Sequence, residues 1–244
     1  MEVKNKRILI TGATSGIGKE IAKSCFEAGA NLLITGRSEE KLSHIRQDLS
    51  NSVEAVIADI KLDSGRAKVV DKVKSLDGLV LAAGVIDYTP LKFVTEKKVD
   101  EVFAINFKAN ILLLQSLLQK KIINKGASIV LISSISSKVG VAGTLLYAAS
   151  KAAVNAAAKV MAAELAPQKI RVNTICPGLV STPMTEKSFQ IMDEEAWKKA
   201  VSKYPLKIGK PSDLQGLVMF LLSDASSWMT GGNIEIDGGY SLNG

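Results

Sequence analysis

The chain has 244 residues, 47% of them apolar, 23% charged and 5% aromatic, with 31 Lys and Arg against 24 Asp and Glu for a formal net charge of +7. A chain of this length hides roughly 70–75% of its unfolded surface, so the composition excludes a disordered or collagen-like chain and any need for a disulfide or metal staple. One histidine, His44, placed among Ser43, Arg46 and Gln47 like the solvated side of a helix, and two distant cysteines, Cys25 and Cys176, leave no basis for a histidine-dependent triad, a zinc cluster or a disulfide framework.

Short β-branched runs alternate with longer amphipathic stretches, which predicts βαβ units and a parallel sheet buried on both faces. In chain order, strands are expected at Arg7 to Thr11, Asn31 to Thr35, Val53 to Ile57, Gly78 to Leu81, Ser128 to Ser133, Arg171 to Cys176 and Asn233 to Ile236. Helices are expected from Gly16 to about Ala28, stopped by Gly29, and from Ser38, which caps a first turn holding Glu39 and Glu40. Further helices are expected near Glu96 to Lys120, Thr144 to Ala166 and Pro211 to Ser223. The expected fold is α/β and doubly wound, one domain over residues 1–244, with seven parallel strands and helices on both faces. No repeat or linker divides it, and the stretch after Pro177 reads as an insertion.

The charged start is followed only by the short apolar run Ile8 to Ile10, which predicts no signal peptide. Gly78 to Ile86 and Ile111 to Leu118 fall far short of the roughly 20 residues that span a bilayer, so no membrane segment is expected. The lysines are scattered rather than clustered with aromatics, which argues against a nucleic-acid surface. Unpaired cysteines suit a reduced, cytoplasmic setting.

The first expected strand runs into Thr11-Gly12-Ala13-Thr14-Ser15-Gly16-Ile17-Gly18 and then a helix. Glycines where a parallel strand meets a helix N-terminus form an anion site: Gly12 for the tight turn, Gly16 for close approach of a pyrophosphate, Gly18 for helix–strand packing. The spacing, G-x-x-x-G-x-G, differs from the general dinucleotide fingerprint. It resembles instead the short-chain dehydrogenase/reductase family, whose fold is of the Rossmann type, and further signatures follow in order. Tyr147-Ala148-Ala149-Ser150-Lys151 matches Tyr-x-x-x-Lys, Ser134 stands 13 positions before that tyrosine, and Asn106 stands 28 before Ser134. Pro177-Gly178 follows a strand, and Asp237-Gly238-Gly239 resembles the family's terminal signature.

The resemblance implies an Asn106-Ser134-Tyr147-Lys151 tetrad. Tyr147 would exchange a proton with the substrate oxygen, Ser134 would hydrogen-bond that oxygen, Lys151 would lower the tyrosine pKa and contact the nicotinamide ribose, and Asn106 would hold a water relay. It also implies cofactor contacts from Gly12, Thr14, Ser15, Gly16, Ile17, Gly18, Asp59, Ile60, Ala83, Gly84, Pro177, Gly178, Val180 and Thr182. After the second strand the chain reads Thr35-Gly36-Arg37-Ser38. No carboxylate is offered to a ribose hydroxyl and Arg37 suits a 2′-phosphate, so NADP(H) is expected over NAD(H). One departure stands out: Leu81-Ala82 replaces the pair of asparagines the family often carries, so another hydrogen bond or apolar packing must hold that loop.

Between Pro183 and Tyr204, within an expected substrate lid near 183–205, lie Met184, Phe189, Ile191, Met192 and Trp197, which suggests a partly apolar substrate. A 3-oxoacyl-carrier-protein reductase activity is the leading reading; Lys125, near the cleft-side strand, and Lys169 are candidate contacts for an acidic carrier, with scattered surface lysines as the favoured reading of both. Sugar, polyol and steroid carbonyls remain open, as does a non-catalytic NADP(H)-responsive binding protein. A nucleotide-sugar epimerase is disfavoured because the tail after Asp237 is short. Ile111, Leu112, Leu114, Leu117 and Leu118, with Ala152, Ala153, Ala156, Ala157 and Met161, exceed what one sheet-facing stripe needs. Together with the resemblance, they predict a homotetramer built from two-fold dimers.

Overall fold

The computed structural model describes residues 2–189 and 194–243. Seven parallel strands form one sheet: β1 (Arg7–Thr11), β2 (Asn31–Gly36), β3 (Glu54–Ile57), β4 (Leu76–Leu81), β5 (Ile123–Ile132), β6 (Arg171–Pro177) and β7 (Asn233–Ile236). They lie in the order β3-β2-β1-β4-β5-β6-β7. In β1 the residues Ile8, Leu9 and Ile10 are all fully buried, as a central strand covered on both faces requires. Alternation divides them: Leu9 joins one core cluster, while Ile8 and Ile10 join the other on the opposite face.

On the Ile8 and Ile10 face pack α1 (Gly16–Glu27), α2 (Glu39–Leu49) and α9 (Ser212–Leu222), with Ile21, Ile45 and Val218 among the buried residues. The other face is covered by α3 (Asp63–Lys72), α5 (Ala109–Gln119) and α6 (Leu145–Leu165), through Val69, Leu113 and Val154. The order reverses at β1, where β4 pairs on the far side from β2, so the strand C-termini open a crevice at the point of reversal. The Ser38 cap is present, its Oγ accepting from the Lys41 N–H at 3.3 Å, and Gly29 follows α1 with φ of 80°.

Several boundaries differ from expectation for local reasons. α3 was not expected, because Gly65 and the buried Arg66 occupy core-facing positions and break the apolar period. β5 begins at Ile123, its polar start of Asn124, Lys125 and Gly126 masking a strand that a register irregularity at Leu76 to Gly78 brings alongside β4. The single helix expected near Glu96 to Lys120 is α4 (Glu96–Phe103), a π-helical turn at Ala104–Lys108, and α5. The expected lid holds α7 (Pro183–Phe189) and α8 (Glu194–Ser202), while Ile191 and Met192 lie outside the described residues.

The Glu96–Gln119 run is long and apolar enough by length and composition to cross a membrane. Its buried Val102, Leu113, Leu114 and Leu117, with Asn106 and Asn110 also turned inside, mark it as a core helix lying on the sheet. Leu114 and Leu117 therefore belong to the core and not to an uncovered face. Ile111, Leu112 and Leu118 are half-buried.

Candidate active site

A cleft of about 700 Å³ opens at the C-terminal ends of the strands. Its walls include Gly12, Thr14, Ser15, Gly16, Ile17 and Gly18 from the turn after β1, Arg37 after β2, Asp59 and Ile60 after β3, and Ala83 and Gly84 after β4. Ser134, Tyr147, Lys151, Pro177, Gly178, Val180 and Thr182 complete the same cleft. Of the tetrad and cofactor-contact residues expected at the site, Asn106 is the one that does not line it.

The glycine turn fits a pyrophosphate. Gly12 has φ of 66°, and a Cβ there would press on the Ala82–Ala83 backbone at 2.9 Å. Gly18 needs no unusual conformation, but a Cβ would overlap the Gly12 carbonyl oxygen. Ser15, the residue before α1, makes no side-chain cap bond, and the first turn carries no acidic residue. The free N–H groups and positive dipole end of α1 therefore face the cleft uncompensated, as an anion site requires. Arg37 is exposed at the end of β2 and shares a smaller side pocket with Asp59, Ser64 and Lys68.

The missing asparagines have a replacement. Thr11 Oγ1 accepts from the N–H groups of Ala82 and Ala83 at 3.1 and 3.2 Å, and Asn110 Nδ2 donates to the Ala83 carbonyl at 3.1 Å. Neither role has a local sequence signal, because Thr11 on β1 and Asn110 on α5 meet this loop only in the folded chain. Asn106 sits one layer behind the cleft, in the π-helical turn. Its Oδ1 accepts from the Val85 N–H at 2.8 Å, and its Nδ2 donates to the Val85 carbonyl and to Ser150 Oγ at 3.0 and 2.9 Å. Ser150 Oγ in turn donates to the Tyr147 carbonyl at 2.7 Å. The side chain thus ties the loop after β4 to the helix that carries Tyr147.

Tyr147 and Lys151 lie one turn apart on α6, with Nζ 5.7 Å from the ring centroid. Nζ donates to the Ile132 carbonyl at 2.8 Å. Burial pushes Tyr147 up to about 12, with a hydrogen bond from Ser134 pulling the other way, and burial pushes Lys151 down to about 8. Desolvation is the largest cause at both groups. Ser134 is buried, and its Oγ accepts from the Ser136 N–H at 3.1 Å.

At the far end the cleft is lined by Ile86, Tyr88, Val141, Met184, Trp197 and Tyr204. Tyr204 Oη accepts from the Leu179 N–H at 3.0 Å and stacks with Tyr240, ring centroids 4.7 Å apart. Asp237 accepts from the Gly239 and Ser241 N–H groups, and Gly238 accepts from the Leu206 N–H at 3.0 Å, so the terminal signature anchors the chain just after α8. Tyr88, Tyr204 and Tyr240 carried no sequence signal, since isolated aromatics look alike in core and cleft. Lys125 and Lys169 are exposed but stand at the N-terminal ends of β5 and β6, the opposite end of the sheet from the cleft, which corrects the expected place of Lys125 near the cleft and suits the reading of both as surface lysines. Among the described residues no cluster of metal-ligand types occurs.

A family model described as Enoyl-(Acyl carrier protein) reductase matches residues 12–241. The 3-oxoacyl-[acyl-carrier-protein] reductase of Thermotoga maritima is 36% identical over 247 residues, covering 98% of this chain and 99% of that protein. A short-chain type dehydrogenase/reductase from Mycobacterium marinum superposes with a TM-score of 0.90 at 30% identity, over 98% of this chain and 97% of that one. A structure named as an NAD(P)-dependent gluconate 5-dehydrogenase of Beutenbergia cavernae, with NADP bound, gives 0.90 at 31% identity over 99% and 98%. With the cleft at the sheet reversal and these likenesses over nearly its whole length, the chain belongs to the short-chain dehydrogenase/reductase family, NAD(P)-linked oxidoreductases acting between CH–OH and C=O groups.

Proposed function

We propose that this chain is an NADPH-dependent carbonyl reductase with Tyr147 as its acid. The observation that carries the reading is the convergence of Ser134, Tyr147 and Lys151 on one cleft at the C-terminal ends of the strands, with the Tyr147 phenol protonated at neutral pH. That is the form that gives a proton to a carbonyl oxygen. A bound nicotinamide supplies the hydride. Ser134 would hold the carbonyl oxygen and stabilise the charge developing on it, and Lys151 would hold the nicotinamide ribose. For the reverse reaction, the lysine and the oxidised ring would draw Tyr147 toward phenolate.

Asn106 serves this scheme as a clamp between the loop after β4 and α6, a role that its hydrogen bonds support directly. The glycine turn and α1 N-terminus would take the pyrophosphate, Asp59 and Ile60 the adenine, Ala83 and Gly84 the ribose, and Pro177, Gly178, Val180 and Thr182 the carboxamide end. The preference for NADP(H) rests on Arg37 and on the absence of a carboxylate at the end of β2.

For the substrate, the apolar far wall and the likeness to a 3-oxoacyl-carrier-protein reductase favour a 3-oxoacyl thioester. The carrier would meet lysines near the cleft, such as Lys199 and Lys203 on its lid side, rather than Lys125 or Lys169 of the same chain. The bonds from Thr11 remove the reason for a non-catalytic reading, since the loop after β4 keeps its hydrogen bonds. The two buried free cysteines support a reduced, cytoplasmic setting. NADPH consumption with acetoacetyl-CoA, 5-keto-gluconate and simple ketoses tests the substrate reading. The 3-oxoacyl thioester should be reduced fastest, and a sugar acid winning by more than about tenfold in kcat/KM would overturn it.

A further inference from the structure

Asn155 lies one turn beyond Lys151 on α6, is buried, and has no part in the proton or hydride steps above. A buried amide must satisfy both a carbonyl oxygen and an NH₂ group, so an apolar residue would be the easier occupant unless the amide is used. Here both ends are used. Nδ2 donates to Ser137 Oγ at 2.7 Å, and Oδ1 accepts from the Cys176 thiol at 3.7 Å. Ser137 Oγ donates at 2.5 Å to the carbonyl of Ser134, where the turn Ile135–Ser137 begins. One amide thus joins α6, the serine turn and the end of β6 that leads into Pro177 and Gly178.

The direction of each bond matters. With Nδ2 donating into Ser137 Oγ, the Ser137 proton is left to point at the Ser134 carbonyl. With the Ser136 N–H donating into Ser134 Oγ, the Ser134 proton is left to point into the cleft. Ser134 is therefore held through its carbonyl and its hydroxyl at once, and Asn155 fixes the first of these from a rigid helix. We propose that Asn155 is a positioning residue that aims the Ser134 hydroxyl at the substrate oxygen through Ser137. The inference rests on the reading of Ser134 and Tyr147 as the pair that meets that oxygen.

The test uses Asn155→Leu, close in volume without the amide, and Ser137→Ala, which removes the intervening hydroxyl without touching α6. Both are assayed with acetoacetyl-CoA and NADPH. Each should lower kcat about tenfold or more, since small misplacements of a catalytic group are expensive, while the NADPH dissociation constant read by fluorescence stays within about twofold. The double variant should be no slower than the slower single one, because both break the same chain of bonds. In the oxidation of 3-hydroxybutyryl-CoA with NADP⁺, the rising limb of kcat/KM should move to higher pH, because a misaimed Ser134 no longer stabilises the phenolate. A general loosening of the fold would not move that limb.

Wild-type kcat and an unshifted limb in Ser137→Ala would overturn the proposal, and that variant also decides the matter if Asn155→Leu fails to fold. Ser134→Ala separates the two levels. If it is slow while the Asn155 and Ser137 variants are normal, only the positioning role falls, whereas a fully active Ser134→Ala overturns the reading of the site beneath it.

Discussion

Removing the Tyr147 hydroxyl removes the transferred proton and little else, because the ring and its place on α6 are kept. Tyr147→Phe should lower carbonyl reduction by at least about a hundredfold with NADPH binding nearly intact, and near-normal turnover would refute the mechanism. Lys151 is a different case, since its charge is buried at a cost to stability. Folded Lys151 loses its proton near 8, whereas an unfolded lysine does so near ~10.4, so between these values the unfolded chain holds the extra proton and wild type gains stability as pH rises. Lys151→Met should therefore raise the melting temperature at neutral pH, with the advantage shrinking from pH 8 upward, while turnover and cofactor affinity both fall. A melting profile parallel to wild type across that range would contradict the buried charge. At the other end of the cleft, Arg37→Asp should move the kcat/KM ratio from NADPH toward NADH; a wild type that already prefers NADH would show that the exposed guanidinium serves only the surface.

Among the elements, the loop after β4 shows how one hydroxyl can replace absent side chains. Thr11→Val would leave the Ala82 and Ala83 N–H groups without their acceptor, at roughly 1–3 kcal/mol for each unpaired buried group. Thermal or urea unfolding should show a clear loss of stability, and an unchanged midpoint would mean that the loop is held without Thr11, by Asn106, Asn110 and packing. The ends of β1 and α1 and the cap at Ser38 were legible because their signals are local. α3 and the start of β5 were not, because Arg66 and Asn124 look like surface residues until tertiary partners appear. Arg66 donates to the carbonyls of Ile60 and Lys61 at 2.9 Å, and Asn124 donates to Asp77 at 2.7 Å. The π-helical turn escaped for the same reason: Asn106 enters the interior to reach Val85 and Ser150, and the helix widens around it.

For the molecule as a whole, α6 presents Ala149, Ala152, Ala156, Val160 and Ala163 to solvent, a smooth apolar face on the helix that carries Tyr147 and Lys151. Ile111, Leu112 and Leu118 of α5 are only half covered. We expect these two helices to pair across a two-fold axis, with two such dimers forming the tetramer, since uncovered apolar surface on adjacent helices favours association. Light scattering at assay concentration should give four times the 26.0 kDa chain mass, or twice it. A fully active monomer would defeat the expectation. Val160→Glu, which places a charge in the middle of that face, should lower the mass if α6 pairs.

The order of the seven strands, the glycine turn between β1 and α1 and the pairing of Tyr147 with Lys151 on one helix were legible in the sequence, with Ser134 legible through the family resemblance. The first three depend on residue type at short, fixed spacing: glycines before a helix, apolar alternation along a strand, two side chains one helical turn apart. Tertiary structure alone decided the height of the tyrosine pKa, the place of Asn106 behind the cleft, the substitution of Thr11 for two asparagines, and the distance of Lys125 and Lys169 from the mouth. Those outcomes depend on desolvation and on contacts between elements far apart in the chain, and neither is written in local spacing.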